Sequence, residues 1–547
     1  MSERNVALEA RSFRRDTLAW WGLFSIIAVA VAIHYGWRDE ALFTPLPAVA
    51  VDDPRLTILS YDRIVTEADG RHVSAAQLRQ QLQALQGAGF QPITIEQLRA
   101  FYVERRGLPA RPLLLLFEHG YTESFENVDP ILRELKWHAA MGIQTRRMED
   151  RDTAFVYWRQ LAAMVESGLW SVVAQGHNSD LPIATGLNNG GEGAFFSHRA
   201  WLDRRHESDA EFSRRIRADL SRSKALLTEH LENYKVVAFS YPLALAQDRA
   251  SSDERRLAER VIGGLFDIAL VDGLLGINDR AAHRLRLQRL RVGSDLAAAE
   301  LLRRLEASLQ SPAEGGEPYW ITAAGRIGQP PRGVSLEGEP LAATWLAGSQ
   351  WQPHWQIEAD IEPGAGQFWF SAVSDVSTTG WRLGGDGERL NLQLLEQGEV
   401  VQTLASMALG GSGPHHLKLI KRGPGLWVEW DGRPISETPI FLPQRWRRAL
   451  LGWQSWRRRG VSRLSVADFR FEAYPYRVRT VSAHPTTAQI QALIDEAPAI
   501  AALRYPARVD FDADPQLQQT RQLLQILARR YGWDLIPQQA PAAPGRS

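Results

Sequence analysis

Between residues 56 and about 310, short apolar runs alternate with helical patterns, and this alternation limits the fold more than any other feature of the chain. The runs "LTILSYD", "LLLLFEHG", "WSVVAQGH", "VVAFSYP" and "FDIALVDG" read as strands. Helices are expected over "SAAQLRQQLQALQGAGF", with Leu78, Leu82 and Leu85 on one face, and through "VDPILRELKWHAAM" and "YWRQLAAMVESG". Two more are expected over the charged stretch 209–232 and through "DERRLAERVIGGL". Strand and helix taking turns specifies an α/β fold with a parallel sheet or barrel. The run "LLLLFEHGY", opened by Pro112 and closed by Gly120, reads as a strand buried on both faces. Glu118 and His119 then stand at its C-terminal end, where α/β folds keep their chemistry. The plainer alternative is a solvated pair in a turn.

At "SPAEGGEP" the pattern changes. Residues 318–475 alternate with period two, as in "HWQIEADIE", "QFWFSAVS" and "LWVEWDGRPI", separated by Gly, Pro and Asp turns, which predicts an antiparallel β-sandwich. Residues 476–537 form a third, small α/β unit with helices at "TAQIQALIDE" and "PQLQQTRQLLQILARRYG", and 538–547 read as a disordered tail. A chain of 547 residues requires several cores, in agreement with this division. Its 63 basic and 63 acidic residues balance, so no nucleic-acid partner is expected. With no cysteine, disulfides, thiolate metal sites and cysteine nucleophiles are excluded, leaving histidine and carboxylates as metal ligands.

Residues 18–37 are mostly apolar and long enough to span a bilayer, with Trp20, Trp21, Tyr35 and Trp37 near the ends and Arg4, Arg11, Arg14 and Arg15 before them. The expectation is a cytoplasmic N-terminus over 1–17, a transmembrane helix over 18–37, a linker over 38–55 and the bulk outside the cytoplasm. A cleaved signal peptide is the alternative, but the "AVA" at 48–50 lies far beyond the apolar run.

The order of "LTILSYDRI", "VSAAQLRQQLQALQGAGFQPITIEQL", "PLLLLFEHGYTESFENVDPIL", "LAAMVESGLWSVVAQGHNSDL" and "VVAFSYPLA" over 56–310 resembles the polysaccharide deacetylase, or NodB-homology, family. The stretch "RRHESDAEFSRRIRADLSRSKALLTEHL" is similar to the insertion of its membrane-associated poly-N-acetylglucosamine deacetylases. The resemblance implies a NodB-like (β/α) barrel and a metal-bound water attacking an amide. It puts Glu118 at the general-base position and His119 at a metal-ligand position, where the family has two aspartates. In "GHNSDLP", His177 matches the first histidine of the family's His-x-x-x-His motif. The second histidine position holds Leu181, with Asp180 as a substitute one residue earlier. Tyr241 and Pro242 stand at the turn that donates backbone N–H groups to the oxyanion, without its glycine. "LRLQRLRV" offers Arg289 and Arg291 where an acid histidine would close the site, with His283 the nearest histidine, and Asp62 stands where relatives often have histidine.

Eleven of the nineteen tryptophans lie between 318 and 475. Flat aromatic faces stack on sugar rings, so Trp427, Trp430 and Trp453 are candidates for glycan contact, while filling a two-sheet core is the plain alternative. Trp427 and Trp430 are three apart on one strand and face opposite sides, so one should look outward. The segment resembles laminin-G or concanavalin-like sandwiches. The cluster "RWRRALLGWQSWRRRG" could grip an anionic polymer or membrane surface, or pair internally by cation–π contacts.

These readings predict a single-pass protein of a bacterial inner membrane that works in modification or export of an extracellular polysaccharide, one containing N-acetylglucosamine, beside export proteins. Two forms compete. One is a non-catalytic binding or assembly subunit without a cofactor. The other is a metal-dependent N-deacetylase, a hydrolase of non-peptide C–N bonds, with zinc or a similar divalent ion on His119, His177 and Asp180 and Glu118 as base. Convergence of those four side chains marks the second, whereas an ion pair between Glu118 and an arginine marks a structural role.

Overall fold

The computed structural model describes residues 54–538 except 187–190, 203, 243–251, 313–316, 331, 374–378, 386, 397, 412, 444–448, 475–476, 482–484, 496–499, 507–514 and 532–533. The expected membrane helix at 18–37 and the tail at 538–547 fall outside this set but for residue 538, and no helix among the described residues is long and apolar enough to cross a membrane.

Seven strands build the first domain: β1 (Leu56–Tyr61), β2 (Pro112–Phe117), β3 (Ala139–Ile143), β4 (Trp170–Ala174), β5 (Ala238–Ser240), β6 (Ile268–Asp272) and β7 (Leu287–Arg291). Each pairs in parallel with the next, and β1 pairs with both β2 and β7, so the sheet closes into a barrel. The leucine run of β2 shows why. Leu113, Leu115 and Phe117 enter the core under the outer helices, while Leu114 and Leu116 enter a second cluster with Ile58, Val173, Ala238, Leu270 and Leu287, the inward residues of the other strands. Both faces are fully buried, each leucine contributing about 1.5–3 kcal/mol. Helix α2 (Ile95–Val103), started by a Thr94 capping box, adds Ile95, Leu98 and Phe101 to the inner cluster and stoppers the barrel at the N-terminal ends of its strands.

The outer helices include α1 (Ala75–Gly87), which buries Leu78, Leu82 and Leu85 as its spacing predicts, and α6 (Asp209–His230), whose start is fixed by a capping box between Ser208 and Glu211. One expectation is corrected. The helix read through "VDPILRELKWHAAM" ends at Leu135, where Lys136 turns left-handed at φ 54°, and Ala139–Ile143 is strand β3. Helix-prone Ala-Ala-Met has become a strand because β2 and β4 pair with it on both sides and every residue is buried.

The second domain is an antiparallel sandwich of a seven-stranded and an eight-stranded sheet. In the seven-stranded sheet the strands used below are β8 (Leu341–Leu346), β9 (Gln367–Val373), β10 (Gly380–Gly385), β11 (Arg389–Glu396) and β12 (Leu450–Trp456). Trp355, Trp381, Trp430 and Trp453 fill the core between the sheets. The sandwich is seated on the barrel at the end opposite its mouth. The Arg55 guanidinium, just before β1, lies 4.4 Å over Trp351, whose indole N–H donates to the Ser308 carbonyl at 2.7 Å, and Ile321 and Ala347 enter the barrel's helix-side core. Gly348, at φ 75°, packs so closely on the Gln310 and Ala307 carbonyls that any Cβ would clash. Beyond the sandwich, Arg477–Thr480, Ile500–Pro506 and Asp534–Gln538 form a parallel three-stranded sheet, with helices Thr487–Asp495 and Pro515–Tyr531 between them in sequence.

Candidate functional site at the barrel mouth

Alternation along a strand places residues two apart on the same side. Two residues beyond the last inward apolar positions Leu116, Val173, Ala238, Leu270 and Leu287 come Glu118, Gln175, Ser240, Asp272 and Arg289. Five strands thus deliver one polar layer on top of an apolar lumen, at their C-terminal ends.

The layer is bonded to itself. Arg289, whose side chain is only 3 % exposed, donates through Nε to Asp272 Oδ1 at 2.7 Å, through Nη2 to the Tyr241 carbonyl at 2.7 Å and through Nη1 to Ser240 Oγ, and Nη1 lies 3.2 Å from Glu118 Oε1. Gln175 donates to Glu118 Oε2 and accepts from the backbone N–H of His119 at 2.8 Å. That bond holds His119 at φ 67°, a left-handed conformation costly for a non-glycine residue. Glycine is needed at 142, because a Cβ there would stand 2.7 Å from the Gln175 amide and 3.1 Å from Glu118 Oε2.

Burial pushes the Glu118 carboxyl up to about 7, against the pull of Arg289, whose charge it shares with Asp272. Burial lowers the His119 pKa, with Asp62 opposing, so its imidazole is neutral near pH 7. The raised Glu118 value sets a sign. From the ordinary 4.5 up to about 7 the folded chain keeps a proton that the unfolded chain loses, so this group's stabilising contribution is complete below 4.5 and is lost as pH rises through 7. The full swing is about 3 kcal/mol. Calorimetry from pH 5 to pH 8 is expected to show the barrel transition of the native protein falling relative to that of Glu118→Gln; parallel curves would contradict it.

Above this layer lies the rim. Asp62, two residues past the inward Ser60, accepts from Arg291 at 3.1 Å and faces His119 Nε2 at 3.5 Å. Tyr121 stacks on Phe155 at 5.0 Å between ring centroids, and Arg63 lies 5.5 Å over its ring. His177 Nδ1 shares a hydrogen bond with Thr145 Oγ1 at 3.1 Å, its Nε2 lies 3.7 Å from Glu149, and its backbone N–H donates to Asp219 at 3.0 Å. Asp180 accepts from Arg147 at 3.1 Å, with Arg146 at 3.9 Å.

The expected metal set therefore does not fit. Asp180 is held by guanidinium groups, His119 faces Asp62, His177 is engaged with Thr145 and Glu149, and among the described residues no three His, Asp or Glu side chains group closely enough to hold an ion. Two further expectations are corrected. The Tyr241 N–H is spent on the Leu270 carbonyl at 3.1 Å and Pro242 has none, so neither supplies an oxyanion donor. The Tyr241 ring turns outward against Phe196 and Phe239, where burial raises its pKa. His283 lies before β7 with Glu259 and Arg286 as charged neighbours, outside the mouth network. Glu118 and Arg289 do come together, as partners of one another. Gln175, Ser240 and Asp272 were missed by motif reasoning; counting two residues past each inward apolar position finds them.

The sandwich candidates divide. Trp430 and Trp453 are 2 % and 0 % exposed, so no sugar ring reaches them; the apolar volume between the sheets claims both. Trp427 is half-buried, with Arg422 4.6 Å over its ring, so of the pair it is the one facing outward. Trp446 falls outside the described residues.

Residues 105–262 match the family model described as polysaccharide deacetylase. The barrel is similar to polysaccharide deacetylase domains over those residues. The chain is 26 % identical over 219 residues to the poly-beta-1,6-N-acetyl-D-glucosamine N-deacetylase of Escherichia coli K12, a match covering 36 % of this chain and 32 % of that protein. The chain thus spans about a third of the curated relative's length. Among solved structures it is similar to a de-N-acetylase from Aggregatibacter actinomycetemcomitans, at TM-score 0.40 and 18 % identity over 46 % of this chain and 100 % of that one. It is also similar to the BpsB deacetylase domain of Bordetella bronchiseptica, at TM-score 0.38 and 23 % identity over 44 % and 96 %. This deacetylase-like barrel carries, at its mouth, an arginine-centred polar network.

Proposed function

We propose that this chain is a non-hydrolytic, polysaccharide-binding protein of the deacetylase fold. Its 18–37 segment anchors it in a bacterial inner membrane, N-terminus inside, and its barrel holds a polymer containing N-acetylglucosamine during modification or export, beside export proteins. The kinship with a deacetylase acting on poly-β-1,6-N-acetylglucosamine supports the choice of polymer. The observation that carries the non-hydrolytic reading is the buried contact of Glu118 with Arg289, 3.2 Å apart, beneath the Gln175 amide. A general base must reach a water beside the substrate; this carboxyl is 6 % exposed and committed to Gln175, Ser240 and Arg289.

One observation favours the hydrolytic alternative: a carboxyl titrating near 7 is well matched to proton transfer at neutral pH. Binding experiments with N-acetylglucosamine oligomers, followed by mass analysis of the recovered sugar, separate the two. The expected result is saturable binding with every acetyl group retained, weakened about tenfold by Tyr121→Ala, which removes the half-buried aromatic of the rim. Absence of binding, or recovery of sugar lacking acetyl groups, would overturn the proposal.

A further inference from the structure

The seven-stranded sheet of the sandwich has an inner face in the core and an outer face, and its register fixes which residues share the outer one. Phe370 pairs with Trp453 and Leu383, and Leu383 with Leu392, all in the core. The alternate positions face away: Trp369 lies opposite Gln454 and Gly384, Ser371 opposite Gly452 and Arg382, and Arg382 opposite Gln393. Trp456 and Gln367, opposite one another at the end of the same face, continue it, and Trp456 is 38 % exposed. Gly384 carries no side chain, and the space over Gly452 is taken by the ring of Trp345, its partner on the neighbouring strand.

The chemistry of this face is weighted towards donors. Arg382 lies 3.8 Å over the Trp369 ring and donates through Nε to Gln393 Oε1 at 3.0 Å, while among the described residues no carboxylate pairs with it and its two Nη groups have no hydrogen-bond partner. Gln454 uses its Oε1 to accept from Ser371 at 3.1 Å, and among the described residues its amide N–H groups have no acceptor, nor do those of Gln393. Acceptors are thus consumed within the sheet and donors are left over. A half-buried guanidinium that makes no contact ion pair among the described residues and feels the Glu399 carboxylate only at longer range, with two amide donors near it, suits a planar oxygen acceptor, and bidentate pairing with carboxylate is its strongest form. An exposed tryptophan about four residues along and two strands away, roughly 17 Å from Arg382 by strand spacing, suits the flat face of a sugar ring.

We propose that this outer face is a second glycan-binding site, independent of the barrel mouth, that takes a short stretch of polysaccharide by stacking on Trp456 and by donating hydrogen bonds from Arg382, Gln393 and Gln454 to a planar acceptor on the sugar. That acceptor is a uronic-acid carboxylate or an acetamido carbonyl. The full-length chain in detergent would be titrated calorimetrically with oligogalacturonate and, separately, with N-acetylglucosamine oligomers, using the native protein and the variants Arg382→Met, Gln393→Ala, Trp456→Ala and Tyr121→Ala. The expected result is that at least one oligomer binds the native chain and loses tenfold or more affinity in Arg382→Met, with smaller losses in Gln393→Ala and Trp456→Ala. The Arg382-dependent component of that affinity should persist in Tyr121→Ala, which alters only the barrel and removes only the barrel's share of binding. The oligomer that responds identifies the acceptor. Binding of neither oligomer, or binding indifferent to Gln393→Ala and Trp456→Ala, would overturn the proposal, and binding lost only in Tyr121→Ala would assign the sugar to the barrel alone. Those two surface variants remove no core contact, so the outcome holds even if Arg382→Met does not fold.

Discussion

Replacing Arg289 by methionine will destabilise the barrel by about 3–5 kcal/mol at pH 8, the largest single effect expected in the first domain. The guanidinium is 3 % exposed and bridges Asp272, Glu118, Ser240 and the Tyr241 carbonyl, so its loss strands the buried Glu118 carboxyl and the Tyr241 carbonyl and unpairs the partly exposed Asp272 carboxyl. The cost should shrink at pH 5, where Glu118 is already protonated and one of the two stranded groups is neutral. The double variant Arg289→Met with Glu118→Gln should be less damaged at pH 8 than the two single effects added, because the groups share one network. Calorimetric scans of the barrel transition at the two pH values check all three statements; a loss under 1 kcal/mol, or one independent of pH, would mean that the network does not hold the barrel together.

Trp453→Ala is expected to cost about 3–5 kcal/mol in the sandwich, as large aromatic truncations in a packed core do. Its ring is fully buried and meets Phe370 edge-on at 4.9 Å between centroids. Trp427→Ala removes a half-buried ring held under Arg422 and should cost a fraction of that. The comparison matters for function, because any loss of glycan binding in Trp453→Ala would follow from unfolding. Equal melting temperatures for Trp453→Ala and the native sandwich would contradict its core position.

The contrast between these tryptophans shows how far the sequence could be read. Period-two alternation correctly puts Trp427 and Trp430 on opposite sides of one strand, yet cannot say which side meets the other sheet; that depends on pairing with strands far away in the chain. The leucine run of β2 was legible because an uninterrupted apolar strand has nowhere to lie except between two cores. Strand β3 was not, because Ala-Ala-Met-Gly-Ile carries no strand pattern and is extended only through its neighbours. At the mouth, motif comparison found Glu118 and Arg289 but set them in separate roles. Their contact follows from β2 and β7 flanking β1 in a closed barrel, and closure is a property of the whole sheet. Asp180 looked like a ligand at helical spacing from His177, but α4 (Thr145–Glu149) brings Arg146 and Arg147 to it from another part of the chain.

The central claim is that the base position of this barrel is occupied by a structural carboxyl. Its most direct test is acetate release from poly-β-1,6-N-acetylglucosamine by the full-length chain supplied with zinc, cobalt or nickel, alongside Glu118→Gln. The account predicts no release above the protein-free rate with any metal, and no difference between the two proteins. Metal-stimulated release that disappears in Glu118→Gln would contradict it and make Glu118 the base of a working deacetylase.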